Sequence, residues 1–134
     1  MALEFNVTPA DHFFLGEDKI LELTIFGEDD ITPLDVTGMA LQWSLKKTDK
    51  AADPGIIEKA SGAGITVVGV YNVAPLLNTQ RVRIAFASAD TTPSSTLSLK
   101  ANFAYRHSLK RTDVGNENVL SYGSFTFMQA TETA

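Results

Sequence analysis

The sequence predicts an all-β protein, an antiparallel β-sandwich of about seven or eight strands. Apolar and polar residues alternate over several short stretches, which is the pattern of strands with one buried face. Turn signals rich in Gly, Pro and Asn separate these stretches, and no amphipathic helical pattern lies between them. Parallel strands need long crossover connections, usually helices, so the sequence favours antiparallel strands in two packed layers.

Residues 1–15 are predicted to form an N-terminal arm. Apolar residues alternate at its start, but Pro9 interrupts them and would be tolerated only at a sheet edge or in a linker. An exposed apolar arm would be a liability, so it packs either on its own domain or on a neighbouring copy. The candidates for an assembly interface are its large apolar side chains: Leu3, Phe5, Val7, Phe13 and Phe14.

Residues 16–129 are predicted to form the sandwich, and 130–134 a frayed tail. Strand patterns lie at residues 19–26, 39–46, 56–59, 65–70, 81–87, 97–106 and 119–128. The central strand places Met39, Leu41, Trp43 and Leu45 on one face. It follows a turn with an apolar plug of Leu34 and Val36. One short helical turn is expected within 88–95, and a hairpin loop at 113–118.

Composition narrows the classes of function. A chain of 134 residues forms one domain that needs no metal or disulfide to fold, and the absence of cysteine excludes thiol chemistry. A net charge of −5 disfavours binding to nucleic acid or to an anionic membrane. One small basic cluster, Arg106, His107, Lys110 and Arg111, is interpreted as solvated surface. The expectation is a soluble protein with no secretory signal and no membrane span.

No catalytic constellation is recognisable. The two histidines are His12, beside Asp11, and His107, which shares the face of Tyr105 and is predicted to lie at the edge of the core. The carboxylate run at 28–30 lacks the spaced ligands and central glycine of a calcium loop, so a solvated hairpin tip is preferred. We therefore expect no enzyme activity, no cofactor and no metal.

Aromatic residues allow one binding hypothesis, a platform on which sugars stack. Trp43 and Tyr105 share their faces with apolar neighbours and are predicted to be core. Tyr71 and Tyr122 are the remaining candidates for such a platform.

Four segments together resemble a known family. They are "Ile-Thr-Pro-Leu-Asp-Val-Thr-Gly-Met-Ala-Leu-Gln-Trp-Ser-Leu" (31–45), "Ile-Ile-Glu-Lys-Ala-Ser-Gly-Ala-Gly-Ile-Thr-Val" (56–67), "Arg-Val-Arg-Ile-Ala-Phe-Ala-Ser-Ala-Asp-Thr" (81–91) and "Tyr-Gly-Ser-Phe-Thr-Phe" (122–127). In this order they resemble small immunoglobulin-like proteins of tailed bacteriophages. The chain is similar to the N-terminal domain of baseplate upper proteins and to single-domain virion proteins over roughly residues 17–128.

The resemblance implies an immunoglobulin-like sandwich and a non-enzymatic structural protein of the virion, made in the host cytoplasm. Its partners would be other virion proteins of the capsid or tail, with homo-oligomers on the particle, and it has no catalytic residues to transfer. Baseplate proteins continue into a long C-terminal region that this sequence lacks, which favours a multi-copy capsid decoration or adaptor on the head surface. A tail or baseplate component and a glycan-binding sandwich module are the alternatives.

Overall fold

The computed structural model describes residues 3–8, 11, 13–27, 29, 31–48, 55–91, 99, 101–115 and 117–128. Its strands are β1 (Leu3–Glu4), β2 (Lys19–Leu23), β3 (Leu41–Lys46), β4 (Ile57–Ser61), β5 (Gly64–Val68), β6 (Arg81–Phe86), β7 (Ala104–Arg111) and β8 (Asn118–Thr126). One helical turn, α1 (Ser88–Thr91), follows β6 as predicted. The prediction of an all-β fold is confirmed, with seven strands besides the two-residue β1. Within the described ranges, no helix is long and apolar enough to cross a membrane.

The strands form one sheet in the order β1-β8-β7-β3-β4-β5-β6-β2, curved into a half-barrel. Strands β8, β7, β3 and β4 form one side of this half-barrel and β5, β6 and β2 the other, and the division falls where β4 and β5 pair over only two residue pairs. Trp43 of β3 and Phe86 of β6, which are not neighbours in the sheet, have ring centroids 5.2 Å apart. The two sides therefore face each other across a shared core.

The sheet is mixed, so the prediction of antiparallel pairing throughout is wrong at two places. β1 runs parallel to β8, because a long connection rather than a hairpin brings it to the sheet edge. β4 and β5 pair in parallel over only two residue pairs. There the chain turns sharply from one side to the other through Gly62 and Gly64, whose positive φ angles (78° and 103°) suit glycine.

The core is centred on Trp43, which is fully buried. Phe86 and Phe125 pack against its ring in edge-on geometry. Leu41 and Leu45 are buried beside it, so the predicted central strand is confirmed. Val36 is also buried, as predicted for the plug.

The late strand was predicted at 97–106, but β7 begins at Ala104 and ends at Arg111. Residues 92–98 and 100 lie outside the described residues, while Leu99 is buried and Asn102 adopts a left-handed turn at φ 61°. The alternation begins before the strand because hydrogen bonding to β3 and β8, not hydrophobic pattern, sets where a strand starts.

Candidate functional site

Three loops meet at one end of the sandwich: residues 24–40, 69–80 and 112–117. The loops after β2 and β5 both lie beside the start of β6, because β6 pairs antiparallel with both strands. The loop after β2 leads into the start of β3, which lies beside the end of β7, where the third loop begins. We call this surface the loop end.

The loop end has the most exposed large apolar side chains among the described residues. Six such side chains are more than 60% exposed, and all six lie in these loops: Ile31, Val70, Val73, Leu76, Leu77 and Val114. Leu76 is 99% exposed, whereas Ile20, the most exposed large apolar side chain in the rest of the described ranges, is 51% exposed. Single exposed apolar residues are ordinary, but a concentration at one end indicates an interaction surface.

The loop end is also strongly acidic. By sequence its loops contain six carboxylates and no Lys, Arg or His: Glu28, Asp29, Asp30, Asp35, Asp113 and Glu117. The loops therefore carry a formal charge of −6. The net charge of the whole chain is −5, so all residues outside the loops together carry +1. The structure of Glu28 and Asp30 lies outside the described residues.

Two of these carboxylates are held by local hydrogen bonds. Thr32 donates its hydroxyl and its backbone N–H to Asp29, which lowers the pKa of that carboxyl to about 2. The hydroxyl and N–H of Thr37 act in the same way on Asp35 and lower its pKa as well. Both groups therefore remain ionised well below neutral pH, because hydrogen bonds to the charged form favour it.

Gln80 links loop 69–80 to loop 24–40. Its amide oxygen accepts the backbone N–H of Val36 at 3.1 Å, and its amide nitrogen donates to Asp35 and Thr37, both at 3.0 Å. Gln80 and Val36 are buried, so the bond between them is shielded from water. The hydroxyl of Tyr71 adds a 2.8 Å bond to the carbonyl of Pro33.

Loop 69–80 is also closed on itself. The Asn78 side chain accepts the N–H of Asn72 at 3.0 Å, and Thr79 donates its N–H to the carbonyl of Val70 at 3.0 Å. On the other side, the Asp113 carboxylate accepts the N–H of Ala40 at 3.1 Å and joins the third loop to the first. Leu76 is thus presented by a pre-organised loop, which reduces the entropy lost when a partner binds.

A cleft of about 290 Å³, lined by both polar and apolar groups, opens between loop 24–40 and the hairpin of β7 and β8. Its apolar walls include Leu34, Met39 and Leu120, and Arg111 lies at its rim in a 2.6 Å ion pair with Asp113.

A second surface, of opposite charge, lies on the outer face of β3, β7 and β8. It is a groove of about 380 Å³ that we call the cationic groove, lined by Ser44, Lys46, Thr48, Arg106, His107, Ser108, Lys110, Val119 and Tyr122. Ser44, Ser108 and Tyr122 lie opposite one another across the three strands, and Lys46 lies opposite Arg106. None of these described lining residues is acidic.

The basic cluster predicted from sequence as solvated surface is divided by the fold. Arg106 and Lys110 line the cationic groove, His107 is buried, and Arg111 pairs with Asp113. Lys46, which joins the groove, lies on β3 and is distant in sequence.

His107 is a structural residue of the core edge, as predicted. The indole N–H of Trp43 donates to its Nδ1 at 3.1 Å, so its Nε2 is the protonated nitrogen and donates to the carbonyl of Phe5 at 2.6 Å. Burial lowers the pKa of His107, and both ring nitrogens are engaged. A neutral imidazole held in this way has no nitrogen available for acid–base chemistry.

The five arm residues lie against their own domain in the single chain. Val7 and Phe13 are buried in the core, and Phe5 and Phe14 are half-buried. Leu3 in β1 pairs with Ser121 in β8. The arm approaches β8 closely because Gly123 has no side chain; a Cβ there would overlap the carbonyl oxygen of Phe5. Contact of these residues with another copy stays a prediction.

The aromatic residues and the second histidine singled out from the sequence differ in their exposure. Trp43 and Tyr105 are buried, as predicted, Tyr71 is half-buried with its hydroxyl bonded, and Tyr122 is exposed in the cationic groove. His12 lies outside the described residues. Among the residues that the structure describes, no cluster of three or more His, Cys, Asp or Glu could hold a metal.

Sequence reasoning missed the loop end. The available signal was that the three turn segments contain six carboxylates and no cation, together with the run Val73-Ala74-Pro75-Leu76-Leu77. Only the pairing of the strands brings these segments to one surface.

No protein-family model matches the sequence, and no curated protein is significantly similar to it.

Proposed function

We propose that the protein is a non-enzymatic structural protein of a tailed-bacteriophage virion, a multi-copy capsid decoration or adaptor that docks on its neighbours through the loop end. The observation that supports docking is that, of the residues the structure describes, the six most exposed large apolar side chains lie together on one hydrogen-bonded end. Burying a side chain such as Leu76 contributes about 1.5–3 kcal/mol, so a few of them suffice for a contact that symmetry repeats.

The virion assignment is supported by the segments that resemble phage immunoglobulin-like proteins, because they occupy positions that determine the fold. In the first segment, Asp35 and Thr37 close the turn before β3. In the last, Gly123 admits the N-terminal strand beside β8. On this proposal the protein is made in the host cytoplasm and resides on the virion, on the head surface or, alternatively, at the tail or baseplate.

A second candidate is a glycan-binding module, favoured by Tyr122. Its ring is exposed beside the hydroxyl of Ser108 in the cationic groove, a combination suited to stacking on and hydrogen bonding with a sugar. Titration with bacterial surface polysaccharide tests it. Binding that Tyr122→Ala abolishes and Tyr71→Phe leaves unchanged would favour this candidate.

The proposed function is tested on a density gradient of lysate from the native source. The protein should sediment with DNA-filled particles; presence on tailless heads indicates a head location, and presence on tails alone indicates a baseplate one. Recovery only in the soluble fraction contradicts the virion assignment.

Docking through the loop end is tested in the same gradient with variants. Leu76→Ser with Leu77→Ser should leave the particle fraction, because two exposed apolar contacts are lost without disturbing the core. Ile20→Ser, an exposed apolar position on β2 away from the loops, is the matched control and should remain particle-bound. Equal incorporation of both variants contradicts a docking role for the loop end.

A further inference from the structure

The loop end has an apolar part and an acidic part. Loops 24–40 and 112–117 contain all six carboxylates, whereas loop 69–80 contains no charged residue. Loop 69–80 instead presents four large apolar side chains that are more than 60% exposed: Val70, Val73, Leu76 and Leu77. We propose that the partner of the loop end is another protein with an apolar surface bordered by Lys or Arg side chains. This inference rests on the proposed function in taking the loop end as a docking surface, and it adds the chemistry of the surface that docks there.

The two parts are joined. Gln80, at the base of loop 69–80, donates its amide nitrogen to the Asp35 carboxylate at 3.0 Å. Within the acidic part, Ile31 is 68% exposed and donates its N–H to Asp29 at 3.0 Å. A partner that covers the exposed apolar side chains of this surface therefore also comes close to its carboxylates.

Asp29 and Asp35 are exposed, and no cation of the described ranges forms an ion pair with either of them. Their hydrogen-bond donors are neutral: threonine hydroxyls, backbone N–H groups and one glutamine amide. Local hydrogen bonds keep the pKa of both groups low, so both stay ionised. Asp113 differs, because Arg111 pairs with it at 2.6 Å. Asp29 and Asp35 are therefore available to pair with the cations of a partner.

The cations beside these loops do not cancel their charge. Three lie within two residues of the loops in sequence, Arg81, Lys110 and Arg111, so the six carboxylates outnumber them. Arg81 donates to the backbone carbonyls of Asn78 and Gln80, and not to a carboxylate. The loop end therefore keeps an excess of negative charge that a cationic surface complements.

Other occupants fit the loop end less well. Two copies that meet loop end to loop end would place acidic surfaces against each other, and like charges at an interface oppose association. Nucleic acid and anionic membranes are repelled by the same carboxylates. A protein surface with apolar groups and cations satisfies both parts, because apolar contact supplies affinity while opposite charges speed association and fix its orientation.

The test uses two synthetic amphipathic helices as probes. Both have a leucine face, which lysines border in the first helix and glutamates in the second. At 0.1 M salt the purified full chain should bind the lysine helix about tenfold more tightly than the glutamate helix, or better. The preference should largely disappear at 1 M salt, because the Debye length falls from about 10 Å to about 3 Å. Equal binding of the two helices at the lower salt concentration overturns the inference.

Charge variants locate the binding. Asp29→Asn with Asp35→Asn removes two charges and keeps the side-chain oxygens that accept the local N–H groups. This pair should weaken binding of the lysine helix about tenfold at low salt. Glu4→Gln with Glu17→Gln removes two charges outside the loops, is the matched control and should bind like the wild type. Equal effects of the two pairs would show attraction by net charge alone and would overturn the inference.

A leucine variant tests the apolar contact. Leu76→Ser with Leu77→Ser should weaken binding about tenfold or more at both salt concentrations, because burial of apolar area is not screened by salt. Ile20→Ser is the matched control and should bind like the wild type. Unchanged binding of the leucine variant overturns the apolar contact. Equal unfolding midpoints of all variants, followed by Trp43 fluorescence, exclude misfolding as the cause.

Particles from the native source separate this inference from the proposed function. A chain that prefers the lysine helix but is absent from particles supports the inference and contradicts the virion assignment. Equal incorporation of the wild type and of the pair Asp29→Asn with Asp35→Asn overturns the inference and leaves the proposed function standing. A purified wild type that sediments as a dimer, and that the leucine variant converts to a monomer, also overturns the inference, because a second copy would then cover the loop end.

Discussion

Replacing Gly123 with alanine should detach the N-terminal segment from β8. The new Cβ would lie 2.7 Å from the carbonyl carbon of Phe5 and 2.8 Å from Oδ1 of Asn6, and it would overlap the Phe5 carbonyl oxygen. Ordinary contact begins at about 3.4 Å, so the backbone of Phe5 must retreat by about 0.7 Å or more. The carbonyl oxygen itself overlaps the new Cβ and must move farther than the carbon, which removes it from its 2.6 Å hydrogen bond with His107.

Two contributions determine how far Gly123→Ala lowers the free energy of unfolding. Forcing an extra methyl group into packed structure costs about 1–3 kcal/mol. The His107 N–H, buried in the wild type, loses its acceptor, which costs about another 1–3 kcal/mol unless water reaches it. Both costs apply in full if no water reaches His107, and only the first applies if water replaces the lost acceptor. We therefore expect an intermediate decrease in the free energy of unfolding, of about 3 kcal/mol.

Urea unfolding followed by the fluorescence of Trp43, the only tryptophan, measures this change. Hydrogen exchange at the Phe5 N–H, which donates to the carbonyl of Tyr122 at 2.7 Å, reports the segment directly and should accelerate. The matched control is Gly27→Ala, whose Cβ would lie 3.6 Å from its nearest neighbour at a φ that alanine accepts. If Gly123→Ala is as stable as Gly27→Ala, the close approach of the arm to β8 is not what requires glycine at this position.

Two further predictions concern the core edge and the loop end. Because burial lowers the pKa of His107 below 6.5, the unfolded chain binds more protons in the interval between the two pKa values. The free energy of unfolding should therefore decrease as pH falls below about 6.5, by at most about 1.4 kcal/mol per pH unit. Urea midpoints at pH 7.5 and 5.5 measure this slope, and an undiminished slope in His107→Gln would assign it to another group. Gln80→Ala should lower the free energy of unfolding by about 1–3 kcal/mol, because the buried N–H of Val36 loses its acceptor. Thermal unfolding tests it, with the exposed Thr66→Ala as control, and equal midpoints would show that the Gln80 bridge does not stabilise the loop end.

The site was less predictable from sequence than the fold. Leu76 gives no local sign that it is exposed, because an apolar residue after a proline is compatible with burial. Its 99% exposure follows from the closure of loop 69–80 by Asn78 and Thr79 and from the anchoring of that loop through Gln80. Gln80 and Val36 are 44 residues apart in the chain, so no local pattern indicates their bond.

The sequence by itself determined which apolar residues of the central strand face the core, although Ser44, predicted on its polar face, is also buried. Leu41, Trp43 and Leu45 are buried because side chains alternate across a strand, a local property that the order of residues displays. The tertiary structure alone decided the parallel pairing of β1 with β8, the meeting of three loops at one acidic, apolar end, and the partners of His107. Phe5 and His107 are 102 residues apart in the chain and meet only because the sheet closes on itself and Gly123 leaves room for the backbone. Contacts of this kind depend on how distant segments pack, and local periodicity carries no information about them.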